Sequence, residues 1–158
     1  MAVIGSGNSA LDAVLQLINI ANKIYFLVRS GIIRGDKIMI DKVKSSPKVE
    51  ILFNTSTTEI IGDKLVKSVK INQKDELREI VVQGVLIEIG YIPNTEFLQD
   101  FVELNSEGEI VIDANKRTKI PSVFAAGDCT DVSYKQIIIA AGEGSKVAIS
   151  VFDYLSKI

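Results

Sequence analysis

The chain has 158 residues, of which 47% are hydrophobic and 24% are charged, and its formal net charge at pH 7 is −2. This composition is typical of a soluble globular fold with one or two small domains, and it lacks the basic excess of a nucleic-acid-binding protein. The chain has no histidine, and its single cysteine is Cys129, which excludes a Ser-His-Asp triad, an internal disulfide and a multi-cysteine metal site. We therefore predict no metal centre and no nucleic-acid partner.

The first twenty residues are rich in apolar side chains but lack the positively charged start of a secretory signal. No apolar run approaches the 18 residues that a membrane-spanning helix requires. The sequence therefore predicts a cytoplasmic protein without a membrane segment, in which residues 1–20 form a strand and a helix.

The first third of the chain alternates between strand and helix patterns. Apolar residues at 3.6-residue spacing predict helices, and short continuous apolar runs are typical of buried parallel strands. In chain order we predict a strand at 1–4, a helix at 8–20, a strand at 24–28, a helix from Asp36 to about 44, and a strand at 49–53. This β-α-β-α-β order predicts a Rossmann-like α/β unit with a parallel sheet.

The middle and the end of the chain differ from this pattern. Three short strands at 57–61, 65–71 and 77–82, separated by turn residues, predict an antiparallel β-meander inserted into the α/β unit. A further buried strand is predicted at 85–89, and the glycine and proline of 90–94 interrupt the chain after it. Beyond a boundary within 90–98, the remaining predicted elements are strands at 109–112 and 122–125 and a long helix at 136–156.

A glycine-rich turn lies between the first strand and the first helix. Residues 5–10 read G-x-G-x-x-A, with Asn8 and Ser9 before Ala10. Gly5 permits a tight turn, Gly7 lets a pyrophosphate approach the backbone, and Ala10 lets the helix pack against the strand. Free N–H groups at the helix start would hold the phosphates. This context predicts dinucleotide binding; the alternative is a tight turn without a ligand.

The end of the second strand bears on which nucleotide would bind. An acidic residue there favours NAD, whereas a nearby arginine accommodates the 2′-phosphate of NADP. Here the strand ends at Val28, followed by Arg29 and, five residues later, Arg34. The pattern favours NADP(H) over NAD(H); the alternative is that the two arginines are solvated surface residues.

Five stretches of the sequence carry a resemblance to a known family. They are residues 2–10 (AVIGSGNSA), 90–95 (GYIPNT), 123–130 (VFAAGDCT), 134–137 (YKQI) and 140–144 (AAGEG). Together they resemble thioredoxin reductase and the flavoprotein subunit of alkyl hydroperoxide reductase. Members of this family are homodimers whose protomers have an FAD-binding domain and an inserted NAD(P)H-binding domain. The chain resembles an N-terminally truncated member.

The resemblance implies two domains and a second group of binding residues. Residues 1–92 would form the NAD(P)H-binding domain, and 93–158 the C-terminal segment of an FAD-binding domain that lacks its N-terminal half. Asp128 would hydrogen-bond the ribityl chain of the flavin, while the backbone of Gln136 and Ile137 would lie beside the isoalloxazine ring. The cofactor-binding positions within the resembling stretches also include Gly90, Gly127 and Lys135. From its local sequence alone, Asp128 could instead cap a turn.

Two departures from the family pattern affect function. Thioredoxin reductases carry a His-Arg-Arg-x-x-x-Arg run, of which Arg29 and Arg34 remain, while the hydroperoxide reductase type has a glutamate where this chain has Val28. The family's redox-active Cys-x-x-Cys is absent, because Cys129 stands alone.

The resemblance implies a parent enzyme that moves hydride from NAD(P)H to FAD and electrons to a disulfide of a thioredoxin- or glutaredoxin-like protein. We predict no catalytic residue in this chain and no activity of the chain alone. The alternatives are a nucleotide-sensing module without enzymatic activity and a subunit that completes a flavin site with another chain.

Overall fold

A four-stranded parallel sheet organises the first part of the chain. The computed structural model describes all 158 residues and divides them into two units, Met1–Gly90 and Tyr91–Ile158. The strands of this sheet are β1 (Ala2–Gly5), β2 (Ile24–Val28), β3 (Val49–Phe53) and β7 (Val85–Glu88), and the helices of the first unit are α1 (Asn8–Leu17) and α2 (Lys37–Ser45). The strand order is β3-β2-β1-β7, and all three strand pairs are parallel. The predicted Rossmann-like architecture is confirmed.

The predicted β-meander is also present, as a separate three-stranded antiparallel sheet between β3 and β7. Its strands, in the spatial order β4-β5-β6, are β4 (Thr55–Gly62), β5 (Val66–Gln73) and β6 (Glu76–Val81). Lys74 and Asp75, at the turn between β5 and β6, have positive φ angles of 53° and 67°. The buried side chains Val69, Ile71 and Ile80 pack this sheet against one hydrophobic cluster of the first unit.

The helical periodicity of α1 accounts for the other hydrophobic cluster. Leu11 and Val14 are fully buried, and they pack with Phe26 and Val28 of β2. Truncation of such a leucine to alanine typically costs about 2–5 kcal/mol. The helix ends at Leu17, three residues earlier than predicted. The C-cap Ile18 N–H donates to Val14 O. Beyond the helix, Ala21 N–H donates to Leu17 O, and the Lys48 ammonium donates to Ile18 O at 2.7 Å.

The second unit has little regular structure besides one long helix. It contains a short 3₁₀-helix (Glu96–Leu98) and α3 (Ile137–Leu155), which confirms the predicted C-terminal helix. The predicted strands at 109–112 and 122–125 are wrong, because each region forms only isolated bridges, Ile110 with Thr130 and Phe124 with Arg117. No helix of the chain has the length and apolar character needed to cross a bilayer.

The second unit also buries few apolar side chains. Val102 and Ile110 are its only buried hydrophobic residues, and the one buried residue of α3 is Glu143. The helix exposes a set of large apolar side chains, namely Ile137, Ile138, Ile149, Phe152 and Leu155. The second unit therefore lacks a buried hydrophobic cluster like the two that involve the first unit's sheets.

Candidate functional site

The glycine-rich turn lies at the carboxyl end of β1, where the strand order of the sheet reverses. The chain runs from β1 to β2 on one side, while β7 pairs with β1 on the other. Ligands of open parallel sheets bind in the crevice outside the strand ends at such a reversal. The topology therefore places residues 5–10 at the expected ligand position of this fold.

Gly5 is glycine because the protein itself leaves no room for a side chain. Its φ is +154°, and a Cβ built on it would collide with the carbonyl oxygen of Glu88 on β7. The same Cβ would lie 2.8 Å from the Cβ of Ala10, which is fully buried. Gly5 and Ala10 thus let α1 start close to the sheet, as the sequence predicted.

Gly7 differs from Gly5, because nothing in the protein requires a glycine there. Its φ of −93° suits any residue, and the nearest atom to a Cβ built on it is Arg34 O at 3.8 Å. The space beside Gly7 is therefore open. An open approach to the backbone at this position is what a pyrophosphate requires.

The start of α1 offers hydrogen-bond donors beside this opening. The first intrahelical bond runs from Leu11 N–H to Gly7 O at 3.0 Å. The N–H groups of Asn8, Ser9 and Ala10 consequently have no acceptor within the helix. Together with the positive end of the helix dipole, they suit a phosphate.

The loop after β2 lies directly against the glycine turn. Arg34 N–H donates to Ser6 O at 2.7 Å, and Asp36 N–H donates to the Asn8 side-chain oxygen Oδ1 at 2.8 Å. Gly35, between these two donors, approaches so closely that a Cβ there would lie 2.5 Å from Leu11 Cδ1 and 2.6 Å from Asn8 Oδ1. Gly35 was not predicted from the sequence, and no local pattern marks it, because its close packing depends on Asn8 and Leu11 of a separate segment.

The two predicted arginines differ in how they are held. Both side chains are exposed, and neither takes part in any of the ion pairs of the structure. Arg34 is tied by its backbone to the glycine turn, whereas Arg29 directly follows the buried Val28 at the end of β2. Both guanidinium groups are therefore available to an anionic ligand.

Gly90 and Gly127 are glycines for conformational reasons. Their φ angles are +92° and +85°, a region that other residues rarely adopt. Gly90 ends the first unit and has open space around it, whereas a Cβ on Gly127 would lie 3.6 Å from Ala140 Cβ in the first turn of α3. The Gly127 carbonyl accepts hydrogen bonds from both the backbone and the hydroxyl of the buried Thr130.

This turn presents Asp128 to solvent. Asp128 is exposed and makes no side-chain hydrogen bond or ion pair in the structure, while the buried Thr130 supplies the bonds that close the turn. The alternative in which Asp128 serves as a cap is therefore not the arrangement seen. Its neighbour Cys129 is a half-buried free thiol whose Sγ lies 3.5 Å from Ala126 O.

Lys135 is engaged within the protein. Its ammonium pairs with Glu109 Oε1 at 2.8 Å and also donates to Thr130 O. Hydrogen bonds from Lys135 and Asn105 hold the pKa of Glu109 below its ordinary value. The structure therefore places the Lys135 charge against Glu109, where it orders the segment before α3.

Gln136 and Ile137 form the start of α3. Gln136 is the N-cap, and its carbonyl accepts the first helical hydrogen bond from Ala140 N–H at 2.9 Å. Ile137 is 92% exposed. The backbone N–H groups of Ile137 and of the next two residues have no acceptor within the helix, because they lie in its first turn. The N-terminus of this 19-residue helix carries the positive end of the helix dipole and therefore suits a partially negative group.

A buried ion pair in the second unit was not predicted from the sequence. Glu143 of α3 pairs with Lys116 and, at 3.0 Å, with Lys146. Lys116 has a positive φ of 67° in the turn that Asp113 closes by accepting bonds from Asn115 and Arg117 N–H. Hydrogen bonds from the two lysines lower the pKa of Glu143.

Comparisons with known proteins identify the family. The family model for pyridine nucleotide-disulphide oxidoreductases matches residues 1–144, so the chain belongs to that family. An alkyl hydroperoxide reductase subunit of Escherichia coli strain K12 is 43% identical over 161 residues, which cover 99% of this chain and 31% of that relative. A protein of Bacillus subtilis strain 168 named NADH dehydrogenase is 40% identical over 159 residues, with the same coverage.

Solved structures agree with this assignment. The thioredoxin reductase of Lactococcus lactis superposes with a TM-score of 0.82 at 28% identity, covering 99% of this chain and 53% of that protein. The resemblance and the fold class predicted from the sequence are thus confirmed. The chain spans 31% of the length of the curated relatives it matches. The roles of the individual site residues stay predictions.

Proposed function

We propose that the first unit binds a nicotinamide dinucleotide and serves as the NAD(P)H-binding domain of a flavin-dependent disulfide oxidoreductase. The observation that carries this proposal is the contrast between Gly5, whose lack of a side chain the fold requires, and Gly7, beside which the protein leaves open space. Gly7 adjoins the free N–H groups of α1, so a pyrophosphate can reach both. The membership of the chain in a pyridine-nucleotide family supports the same ligand.

We propose further that Arg29 and Arg34 bind the 2′-phosphate of NADPH. Guanidinium groups bind phosphate through paired, charge-assisted hydrogen bonds, and both side chains are exposed without an acidic partner. The name of the Bacillus subtilis relative, NADH dehydrogenase, points to the other nucleotide for that protein. The choice between NADPH and NADH is therefore a property to measure for this chain.

The second unit is proposed as the C-terminal segment of an FAD-binding domain. Asp128 and Gln136 are exposed polar groups, and the start of α3 offers unpaired N–H donors, so these residues fit a ribityl chain and a polar ring edge. Gly127 and Lys135 would shape this segment, and Ile137 would present its backbone. When bound, FAD supplies the redox chemistry of the parent enzyme. Gly90, just after β7, would be a cofactor-binding position within the nucleotide domain of residues 1–92.

The parent enzyme is proposed to act in the cytoplasm as a homodimer. Its electrons would go to the disulfide of a thioredoxin- or glutaredoxin-like protein. The likeness to the Lactococcus lactis thioredoxin reductase supports this substrate class. The chain would contribute binding and orientation to that reaction, since its single thiol, Cys129, has no second cysteine with which to form a disulfide.

Nucleotide titration tests the main proposal. The measured quantity is the dissociation constant of NADPH and of NADH, from the fluorescence of the reduced nicotinamide on addition of protein. Gly7→Val should abolish binding of both nucleotides, because its side chain fills the phosphate approach. Gly144→Val is the matched control, since a Cβ collides with nothing at either glycine. Binding of neither nucleotide to the unmodified chain, or unchanged binding to Gly7→Val, would refute the proposal.

A second candidate function is a subunit that completes a flavin site with another polypeptide. The apolar side chains that α3 exposes, such as Ile138 and Phe152, favour this candidate, because large exposed apolar areas usually become interfaces. Retention of FAD after mixing with cell extract and repurification would support it, provided that Asp128→Ala releases the flavin. The control is Asp153→Ala, which removes another carboxylate of the second unit.

A further inference from the structure

The side-chain oxygen of Asn8 accepts a hydrogen bond from the loop that carries Arg34. The Asp36 N–H donates to Asn8 Oδ1 at 2.8 Å across 28 residues of sequence. Two residues earlier, Arg34 N–H donates to Ser6 O at 2.7 Å. The loop is thus bonded to the glycine turn on both sides of Gly35.

Gly35 brings the two segments together. A Cβ on Gly35 would lie 2.5 Å from Leu11 Cδ1 and 2.6 Å from Asn8 Oδ1. Both atoms are ends of side chains: Leu11 is fully buried in the hydrophobic core, whereas Asn8 is exposed. A side chain at position 35 would therefore either displace the Asn8 side chain and break its hydrogen bond to Asp36, or push the loop away from the turn.

Neither the Asn8 nor the Asp36 side chain makes a capping hydrogen bond to its own helix. Asp36 is the N-cap of α2, yet its side chain makes no capping hydrogen bond. Asn8 lies inside the first turn of α1, whose N-cap is Gly7. Both Asn8 and Asp36 are exposed. The Asn8–Asp36 hydrogen bond instead fixes the loop after β2 relative to the glycine-rich turn.

We propose that Asn8 and Gly35 are positioning residues for Arg34 and thereby set the preference of the site for a dinucleotide with a 2′-phosphate. The proposal rests on the nucleotide-binding function above. The two hydrogen bonds hold the Arg34 backbone at a fixed place beside the turn that would bind the pyrophosphate. Arg34 can then reach a phosphate on the adjacent ribose without the entropic cost of ordering a free loop.

The test compares the ratio of the NADH to the NADPH dissociation constant among variants. Asn8→Ala removes the acceptor, and Asp36→Pro removes the donor. Proline matches the φ of −65° at position 36. Its ring carbon replaces the amide hydrogen that points at Asn8 Oδ1, so the Asn8 side chain must turn away from the loop. Asp36→Ala is the matched control, since it keeps the N–H. Asn8→Ala and Asp36→Pro should each lower the ratio about tenfold, which corresponds to about 1.4 kcal/mol, and Asp36→Ala should not.

A double-mutant cycle separates positioning from a general structural role. If Asn8 acts through Arg34, Asn8→Ala should leave the ratio unchanged in an Arg34→Ala background, because residues that act as one unit are not additive. Equal loss of affinity for both nucleotides in Asn8→Ala would indicate a structural role and overturn the proposal.

The remaining outcomes are also decisive. If the unmodified chain binds NADPH and NADH with equal affinity, Asn8 and Gly35 cannot set a preference between them. That result would refute the inference but leave the proposed nucleotide binding intact. Binding with a preference that neither Asn8→Ala nor Asp36→Pro alters would refute the inference alone. Binding of neither nucleotide would refute the proposed function, and the inference with it.

Discussion

Glu143 of α3 and Lys116 of the Asp113–Arg117 turn form an ion pair in which each residue is less than a tenth exposed. The pair joins the long helix to the irregular segment before it. Lys146 adds a second, more exposed charge at 3.0 Å from Glu143. Because Val102 and Ile110 are the only buried hydrophobic residues of this unit, we expect these ion pairs to contribute to its stability.

The second unit should therefore be sensitive to acid. Hydrogen bonds from Lys116 and Lys146 lower the pKa of Glu143 below its ordinary 4.5, and those from Lys135 and Asn105 do the same for Glu109. A carboxylate with a lowered folded-state pKa contributes stability above the unfolded-state value and loses it as the pH falls through the folded value. We expect the helical signal of α3 to become easier to unfold with urea below about pH 4.5.

Circular dichroism during urea unfolding between about pH 6 and about pH 3 measures this effect. In Glu143→Gln the pH dependence should flatten, and the variant should be less stable at neutral pH because Lys116 loses its partner. Glu107→Gln is the control, since Glu107 is exposed and forms no ion pair. An identical acid dependence in Glu143→Gln and the unmodified chain would contradict the role of this pair.

Substitution by alanine should destabilise the protein much more at Gly5 than at Gly7. Gly5→Ala places a Cβ against Glu88 O at a φ of +154°, and strain and overpacking together should lower the free energy of unfolding by at least about 2 kcal/mol. Gly7→Ala meets open space at an ordinary φ, so its free energy of unfolding should change by about 0.5 kcal/mol or less. Urea denaturation of both variants measures the contrast; equal destabilisation would show that Gly7 is also required by the fold.

The strands and helices of the first unit could be predicted from the sequence because each is encoded by a local pattern of apolar residues. Each parallel strand is a continuous apolar run, and β2 and β3 fall on the predicted residues. The bond between Asn8 and Asp36 could not be predicted, because it depends on a close approach across 28 residues. The strand predicted at 109–112 failed for a related reason: Ile110 bridges Leu104 on one side and Thr130 on the other, and neither bridge extends. The burial of Glu143 could not be predicted either, because glutamate side chains usually lie on the protein surface.

Each of the two arginines should contribute to NADPH binding but not to NADH binding. Arg29→Ala and Arg34→Ala should each weaken NADPH binding by about 1.5–3 kcal/mol, the range of hydrogen bonds to charged groups. NADH has no 2′-phosphate, so its affinity should stay nearly constant. Titration of both nucleotides provides the measurement, with Arg78→Ala on β6 as the control. A parallel loss of NADH affinity would place the arginines at a phosphate that both nucleotides share.

The exposed apolar face of α3 should drive association of the isolated chain. Homo-oligomers are most often two-fold dimers, and we expect light scattering to give a mass that rises toward a dimer with concentration. Ile149→Lys with Phe152→Glu should shift the chain toward monomer without loss of stability, because both side chains are largely exposed. Leu77→Lys, at an equally exposed position of β6, should have no such effect. A monomer at all concentrations would exclude self-association through α3.

The isolated chain should show no NADPH-dependent reduction of a disulfide. Hydride transfer requires the nicotinamide and its acceptor to be held about 3–3.5 Å apart, and thiol–disulfide exchange requires a second thiol to resolve the mixed disulfide. Cys129 is the only thiol of the chain, and it is half-buried with Sγ directed at Ala126 O. The assay is reduction of a chromogenic disulfide by NADPH with added FAD, against free flavin as background. Cys129→Ser should give the same rate as the unmodified chain. Turnover above background that disappears in Asp128→Ala would show that these residues form a working flavin site, and the prediction would then be wrong.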